Sequence, residues 1–323
     1  MEEEISRIIG CLAGLAVGDA MGRPTELLFN YRRIEARYGK VTDLIGREAG
    51  AVTDDTRLTL TLADAILEKD RIISADELID FWKWHPEFTW RKFLRSYNRS
   101  VGFWIGEHIV AWAGRLGLPG HLTGYLNLSW LVAGNEAAMI MAPVGIICRG
   151  CPVDAAQAAR DVARAMLTGE GVEAAAAWAA AIATALSKGA TVQSVIDTAR
   201  SNASPQMRSA IERALSASEP YSDVYSVRPA LYRCCRRLVT IDARETIPMA
   251  LAMFWLADGD PMTAVVGGAN LGRDSDTIAG MAGLLSGALR GIEAIDKSIY
   301  GKVCEVNGFD LEDYAARLAT VSA

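Results

Sequence analysis

The chain has almost no β-strand signal. Alternating runs of valine, isoleucine and threonine are nearly missing, and residues 40–45 are the single short candidate. That excludes a sheet as the organising element. Histidine is scarce as well: His85, His108 and His121 are the only ones, and none stands at ligand spacing. The cysteines are scattered. Cys148 and Cys151 form a CxxC, but no second such pair or paired histidines accompany it, so a zinc site lacks its other ligands. They and the vicinal Cys234 and Cys235 read as ordinary core and loop residues of a reducing compartment. There is no surplus of positive charge. A net charge of −6 leaves no basic footprint for nucleic acid. No uninterrupted apolar segment reaches membrane-spanning length, the most apolar ones (137–148 and 278–289) being of buried-helix size. The opening Met1-Glu2-Glu3-Glu4 lacks the positive start of a secretory signal. Fixed repeats, low-complexity tracts and long polar linkers are absent too. These gaps predict a soluble, cytoplasmic protein with neither a membrane nor a nucleic-acid partner.

What is present is helical. A 51% apolar composition supplies a large core. Alanine-rich, 3.6-residue patterns cover 5–20, 57–69, 75–84, 136–147, 153–167, 172–188, 192–202, 247–257, 261–270 and 275–290. Stop and start signals such as Gly150-Cys151-Pro152 and Asp258-Gly259-Asp260-Pro261 separate them. The expectation is one compact all-α, multi-helix domain over residues 1–323, with its site in a cleft between helix ends.

Glycine spacing adds a packing constraint. Gly10, Gly14, Gly18 and Gly22 recur every fourth residue, and Gly283 and Gly287 repeat that spacing late in the chain. A glycine inside a helix costs about 0.5–1 kcal/mol against alanine. Stripes of them are offset by unusually close helix contact. If the two stripes meet, Asp19 approaches the segment 274–277.

Two acidic clusters lie most of a chain length apart: Thr53-Asp54-Asp55-Thr56 and Asp274-Ser275-Asp276-Thr277. Each precedes an apolar helical run, where Asp, Ser and Thr are common N-caps. A cap needs one oxygen, however, and each segment supplies several, with Asp54 and Asp55 adjacent. Like charges so placed call for a cation, and carboxylates with hydroxyls are the hard oxygen set that suits magnesium or calcium. Capping and cation binding both remain open on spacing alone.

Gly18-Asp19-Ala20-Met21-Gly22-Arg23-Pro24-Thr25-Glu26, Thr53-Asp54-Asp55-Thr56 and Gly272-Arg273-Asp274-Ser275-Asp276-Thr277 together resemble the signatures of the ADP-ribosylglycohydrolase family. That family includes the dinitrogenase-reductase-activating glycohydrolase and the ADP-ribosylarginine hydrolases. Gly134-Asn135-Glu136-Ala137-Ala138-Met139 and Glu245-Thr246-Ile247-Pro248 agree in order and spacing. The resemblance implies an all-α fold, two magnesium ions (manganese being the alternative), and hydrolysis of the bond between ADP-ribose and an acceptor. By the same resemblance, Thr53, Asp54 and Asp55 from one side and Asp274, Asp276 and Thr277 from the other are metal ligands. Gly134, Asn135 and Ser275 are substrate-binding. Glu26 and Asp55 are candidates for the catalytic carboxylate that handles the proton of water or leaving group.

Those types suit the chemistry. Glycosidic cleavage passes through an oxocarbenium-like sugar, with water as nucleophile and a carboxylate to manage its proton. Departures from the family pattern fall around the substrate. Glu136 and Ile140 stand where the family usually has glycine and arginine, and Thr168-Gly169 where many members carry Thr-His. The readings are a hydrolase releasing ADP-ribose from a protein side chain (arginine by family precedent), an N-glycosidase for a smaller nucleoside- or nucleotide-like substrate, and a non-catalytic ligand-binding relative. Four retained aspartates speak against the last. An aromatic-rich stretch from Trp82 to Trp130 reads as core, or as a wall that stacks a base or sugar.

Overall fold

A computed structural model describes residues 2–26, 28–85 and 133–321. Its helices among the described residues are α1 (Glu2–Gly22), α2 (Tyr31–Tyr38), α3 (Asp54–Lys69), α4 (Ala75–Trp84), α5 (Glu136–Met139), α6 (Ala142–Ile147), α7 (Pro152–Ala163) and α8 (Glu170–Ala185). They continue with α9 (Val192–Asn202), α10 (Pro205–Ser218), α11 (Arg228–Cys234), α12 (Ala243–Leu256), α13 (Pro261–Ala269), α14 (Ser275–Arg290), α15 (Lys297–Asn307) and α16 (Leu311–Leu318). The protein is all-α. Most of the aromatic stretch, with His108 and His121, lies outside the described residues. Trp82 is core, its indole N–H donating to Thr61 Oγ1 at 3.1 Å.

The centre of the fold is the pairing of α1 with α14. Every residue of α14 from Ser275 to Leu289 is buried. The two glycine stripes face each other: a Cβ at Gly14 would collide with the Gly283 carbonyl, one at Gly10 with that of Gly287, and one at Gly18 with that of Ala279. At Gly22 the obstacle is the backbone of Ser275 and Asp276. The backbones therefore touch along the whole seam, and the seam ends at the second acidic cluster. A Gly14→Ala substitution should force the helices apart at a cost of at least about 1–3 kcal/mol. Thermal denaturation checks this; an unchanged melting temperature would show the seam to be slack.

Several expectations need correction. Residues 40–45 form no strand: the N–H and C=O of Val41 pair with the side-chain amide of Asn270, at 2.9 and 2.7 Å, rather than with another strand. The expected helix 136–147 is two short ones, because Pro143 lacks an N–H and its ring suits the first turn of a new helix. Besides the short α11, which has no side-chain cap, helices α2, α10, α15 and α16 went unread: α2 and α15 each bury one side chain, Ile34 and Val303, whereas α10 (Met207, Ala210, Ile211, Ala214) and α16 (Leu311, Ala315, Leu318) bury a helical stripe that the sequence carried. Their N-caps, Asn30, Ser204, Asp296 and Asp310, were readable signals. The first helix and the turn after it, Glu2–Thr25, are long and apolar enough to cross a membrane by length and composition, contrary to expectation. However, 78% of that window is buried within the fold, as in a core helix.

Candidate metal centre

The site forms where α1, α3 and α14 end. Thr53 caps α3, its Oγ1 accepting from the Asp55 N–H at 3.3 Å. Asp19, fully buried near the end of α1, clamps that start from below. It accepts from the Thr53 N–H at 2.9 Å, the Thr56 N–H at 3.1 Å and the Thr56 hydroxyl at 2.6 Å. Capping is thus met by Thr53 and Asp19, which releases both carboxylates of the first turn for other work. Asp55 turns inward and is 3% exposed; Asp54 lies at the exposed lip.

The second segment is held differently. Asp274 occupies the N-cap position of α14 but makes no capping hydrogen bond. Its Oδ2 accepts from Asn135 Nδ2 at 2.6 Å, and the Thr277 side chain bonds both Asp274 and Asp55. The chain enters through two left-handed residues, Gly272 (φ 74°) and Arg273 (φ 66°). A non-glycine residue rarely adopts that conformation unless its surroundings enforce it. Here the enforcement is a buried ion pair. The Arg273 guanidinium grips Glu245, with Nη2 to Oε2 at 2.8 Å, and also donates to the Arg237 carbonyl at 2.8 Å. Glu245 is wholly inaccessible and Arg273 5% exposed.

Glu26 follows the 3₁₀ turn Arg23–Thr25 that closes α1 and bonds Asp276. One oxygen from each of Glu26, Asp274 and Asp276 lies within 4.8 Å of the others. Asp55 Oδ2 and Asp276 Oδ1 are buried without a hydrogen-bond partner among the described residues. Burial, reinforced by neighbouring carboxylates, drives Asp55, Asp274 and Asp276 well above the usual carboxylate range. Burial and then the charges of Asp54 and Asp19 push Glu26 up to about 7, and burial raises Asp19 to about 6 against its hydrogen bonds. Orphaned hard oxygens in a desolvated, like-charged cluster fit a divalent cation, which supplies the counter-charge the fold omits.

The sequence-predicted residues therefore separate. Glu26, Asp54, Asp55, Asp274, Asp276 and Thr277 converge, and Thr53 stands beside them as the cap. Asn135 is buried, and its side-chain amide donates to Asp274 and Thr246. Gly134 lies in an isolated bridge to Asp242, close against the Glu136 side chain. Ser275 is fully buried; its hydroxyl donates to the Gly22 carbonyl at 3.1 Å and meets Thr25 Oγ1 at 2.9 Å, which fastens α14 to α1. The clamp of Asp19 and the Glu245–Arg273 pair went unread. A charge inside the apolar run of α1 was the available signal for the first, whereas nothing local announces the second.

The raised values give a pH prediction. An acid whose folded pKa exceeds its unfolded one holds its proton more tightly when folded. Its protonation therefore favours folding as pH falls from the folded value toward the unfolded one, by about 1.4 kcal/mol for each tenfold difference in proton affinity between the two states. With chelator, the protein should melt higher at pH 5.5 than at pH 8, the window set by Glu26 and Asp19. Excess magnesium, which favours the ionised forms, should reverse that order. A chelated protein that melts lower at pH 5.5 would contradict the raised carboxylates.

An all-α fold with a buried carboxylate centre at converging helix ends defines the class. The chain belongs to the ADP-ribosylglycohydrolase family, whose model matches residues 1–323. It is 32% identical over 339 residues to the uncharacterized protein YegU of Escherichia coli (strain K12), covering 97% of this chain and 96% of that one. It is 27% identical over 294 residues to an uncharacterized protein of Archaeoglobus fulgidus, covering 89% and 88%. Among solved structures, a chain of an "ADP-ribosylglycohydrolase-related protein complex" matches with a TM-score of 0.69 over 100% of both chains. At 24% identity that is a likeness of fold.

Proposed function

We propose that this glycohydrolase is magnesium-dependent and cleaves the glycosidic bond joining ADP-ribose to a protein side chain, arginine first, releasing ADP-ribose. The observation that carries the reading is the convergence of Glu26, Asp55, Asp274 and Asp276 on one buried spot with two oxygens left unpartnered. Asp54, Asp55, Asp274, Asp276 and Thr277 would hold the cations, with Thr53 at the helix start. Bound there, magnesium supplies a Lewis acid that orients ribose hydroxyls and lowers the pKa of water.

The remaining work falls to the chain itself. Glu26, pushed up to about 7 and half-buried beside Asp276, is poised to exchange a proton near neutral pH. Asp55 is the second candidate for that exchange. Asn135 and Thr277 keep the Asp274 carboxylate in place while charge develops on the sugar. Ile140, fully buried, and Gly169, in a left-handed turn, occupy the positions of the usual arginine and histidine. Neither offers a fork for a carboxylate or phosphate. That favours, as a second reading, a smaller nucleoside- or nucleotide-like N-glycoside.

The test is release of free ADP-ribose from an ADP-ribosylarginine-bearing protein, with magnesium and with chelator. Magnesium-dependent release is expected. No release by folded protein, together with magnesium-dependent cleavage of a free N-glycoside, would replace the first reading by the second.

A further inference from the structure

The vicinal cysteines at the end of α11 lie outside the site yet connect to it. Cys234 Sγ and Cys235 Sγ are 3.3 Å apart, in hydrogen-bonding contact. Cys234 is half-buried and Cys235 is 2% exposed. Ordinary core and loop cysteines, the expectation from sequence, would not explain two thiols held against each other. Nor would they explain the bonding of the next residues. The Arg237 N–H donates to Glu245 Oε2 at 2.5 Å, and the Arg237 carbonyl accepts from Arg273 Nη2 at 2.8 Å. The segment that leaves the dithiol is thereby bonded to both partners of the ion pair that sets the backbone before Asp274.

We propose that Cys234 and Cys235 form a peroxide-oxidisable dithiol whose closure to a disulfide displaces the 235–237 backbone and weakens the carboxylate centre through the Glu245–Arg273 pair. The oxidant is a hydroperoxide. The Cys234 thiolate attacks the terminal peroxide oxygen, the O–O bond breaks, and the departing hydroxide or alkoxide takes the proton released from the thiol and leaves as water or alcohol respectively. Cys235 Sγ then attacks the sulfenic sulfur; the S–O bond breaks, and its oxygen leaves as water with the Cys235 proton. Two thiols lose two electrons and the peroxide gains them.

The environment favours this order. The hydrogen bond from Cys235 lowers the Cys234 thiol to about 7, with Arg213 and Arg233 contributing, so the more accessible sulfur is the nucleophile. Movement is inherent in the closure. The sulfurs must close from 3.3 Å to a bond of about 2.05 Å with a Cβ–S–S–Cβ dihedral of about 90°, in an eight-membered ring that holds the 234–235 peptide. With the Cα atoms fixed about 3.8 Å apart across a trans peptide, the change falls on the backbone torsions, and the next residues are those tied to Glu245 and Arg273.

The effect on the centre rests on the cation reading; the oxidation itself does not. The experiment treats the full chain with hydrogen peroxide, maps cysteine peptides by mass, and titrates magnesium by calorimetry before and after. The expected result is a loss of 2 Da in the peptide holding Cys234 and Cys235, restored by dithiothreitol. Magnesium affinity should fall about tenfold or more in the same sample, as when a ligand's support is disturbed. Cys234→Ser and, independently, Cys235→Ser should bind magnesium as the untreated protein does and lose the peroxide response. Both thiols remaining alkylatable after peroxide, or oxidation confined to Cys148 and Cys151, would overturn the dithiol. A 2 Da loss with unchanged magnesium affinity would overturn the coupling. If the untreated protein binds no magnesium, the cation reading fails, while the mass shift still decides the dithiol.

Discussion

Asp276→Asn should leave the metal-free protein more stable than the parent while reducing turnover by at least about a hundredfold. The two effects have one cause. Asp276 is 5% exposed, its Oδ1 has no hydrogen-bond partner among the described residues, and Glu26, Asp55 and Asp274 crowd it with like charge. Asparagine keeps the shape and removes the charge, so in chelator the fold gains at least about 1 kcal/mol, the repulsion between two unit charges about 4 Å apart in water. A helix cap predicts otherwise, because asparagine caps as well as aspartate and would change neither property. Melting in chelator, beside activity in magnesium, separates the cases. Full activity in the variant would remove Asp276 from the centre.

The second large effect is expected at Glu245. Glu245→Gln leaves the Arg273 guanidinium buried with its charge uncompensated, which costs about 3–5 kcal/mol. For a chain of this size that lowers the melting temperature by about 4–7 °C. Replacing both partners, Glu245→Leu with Arg273→Met, should recover much of this loss, since apolar substitutes for a buried pair are often neutral or better. Magnesium affinity should stay reduced in the double variant, by roughly ten- to a hundredfold, because nothing then holds residue 273 left-handed ahead of Asp274. Stability and affinity recovering together would mean that the pair serves the fold alone.

These two residues mark where the sequence was and was not legible. The acidic clusters and the glycine stripes are local patterns: the stripes led to the meeting of α1 and α14, and the clusters to the approach of Asp55 to Asp274 and Asp276. Glycine every fourth residue has one economical meaning in a buried helix, and it brought Asp19 toward the segment 274–277 from spacing alone. The role of Asp19 was not readable, because a carboxylate that accepts backbone N–H groups from another helix looks in sequence like one that binds a cation. Asn135 is ambiguous for the same reason: its amide could serve a sugar or a carboxylate, and only the fold shows Asp274 in front of it. Arg273 sits at φ 66° because Glu245, 28 positions earlier, holds it there. No periodicity encodes a pairing between a helix and a loop at that separation. Helices α2 and α15 were missed on opposite grounds, for they are too polar to register in an apolar pattern and are fixed by their caps.

The most direct measurement is a calorimetric titration of chelator-stripped protein with magnesium at pH 7.5, repeated in buffers of different ionisation enthalpy. Carboxylates held above their usual range, Glu26 at about 7 among them, release protons when a cation takes their charge. Saturable binding with proton release is expected, together with a rise in melting temperature that Asp276→Asn lacks. No saturable heat, and a melting temperature indifferent to magnesium, would contradict a cation site at this cluster.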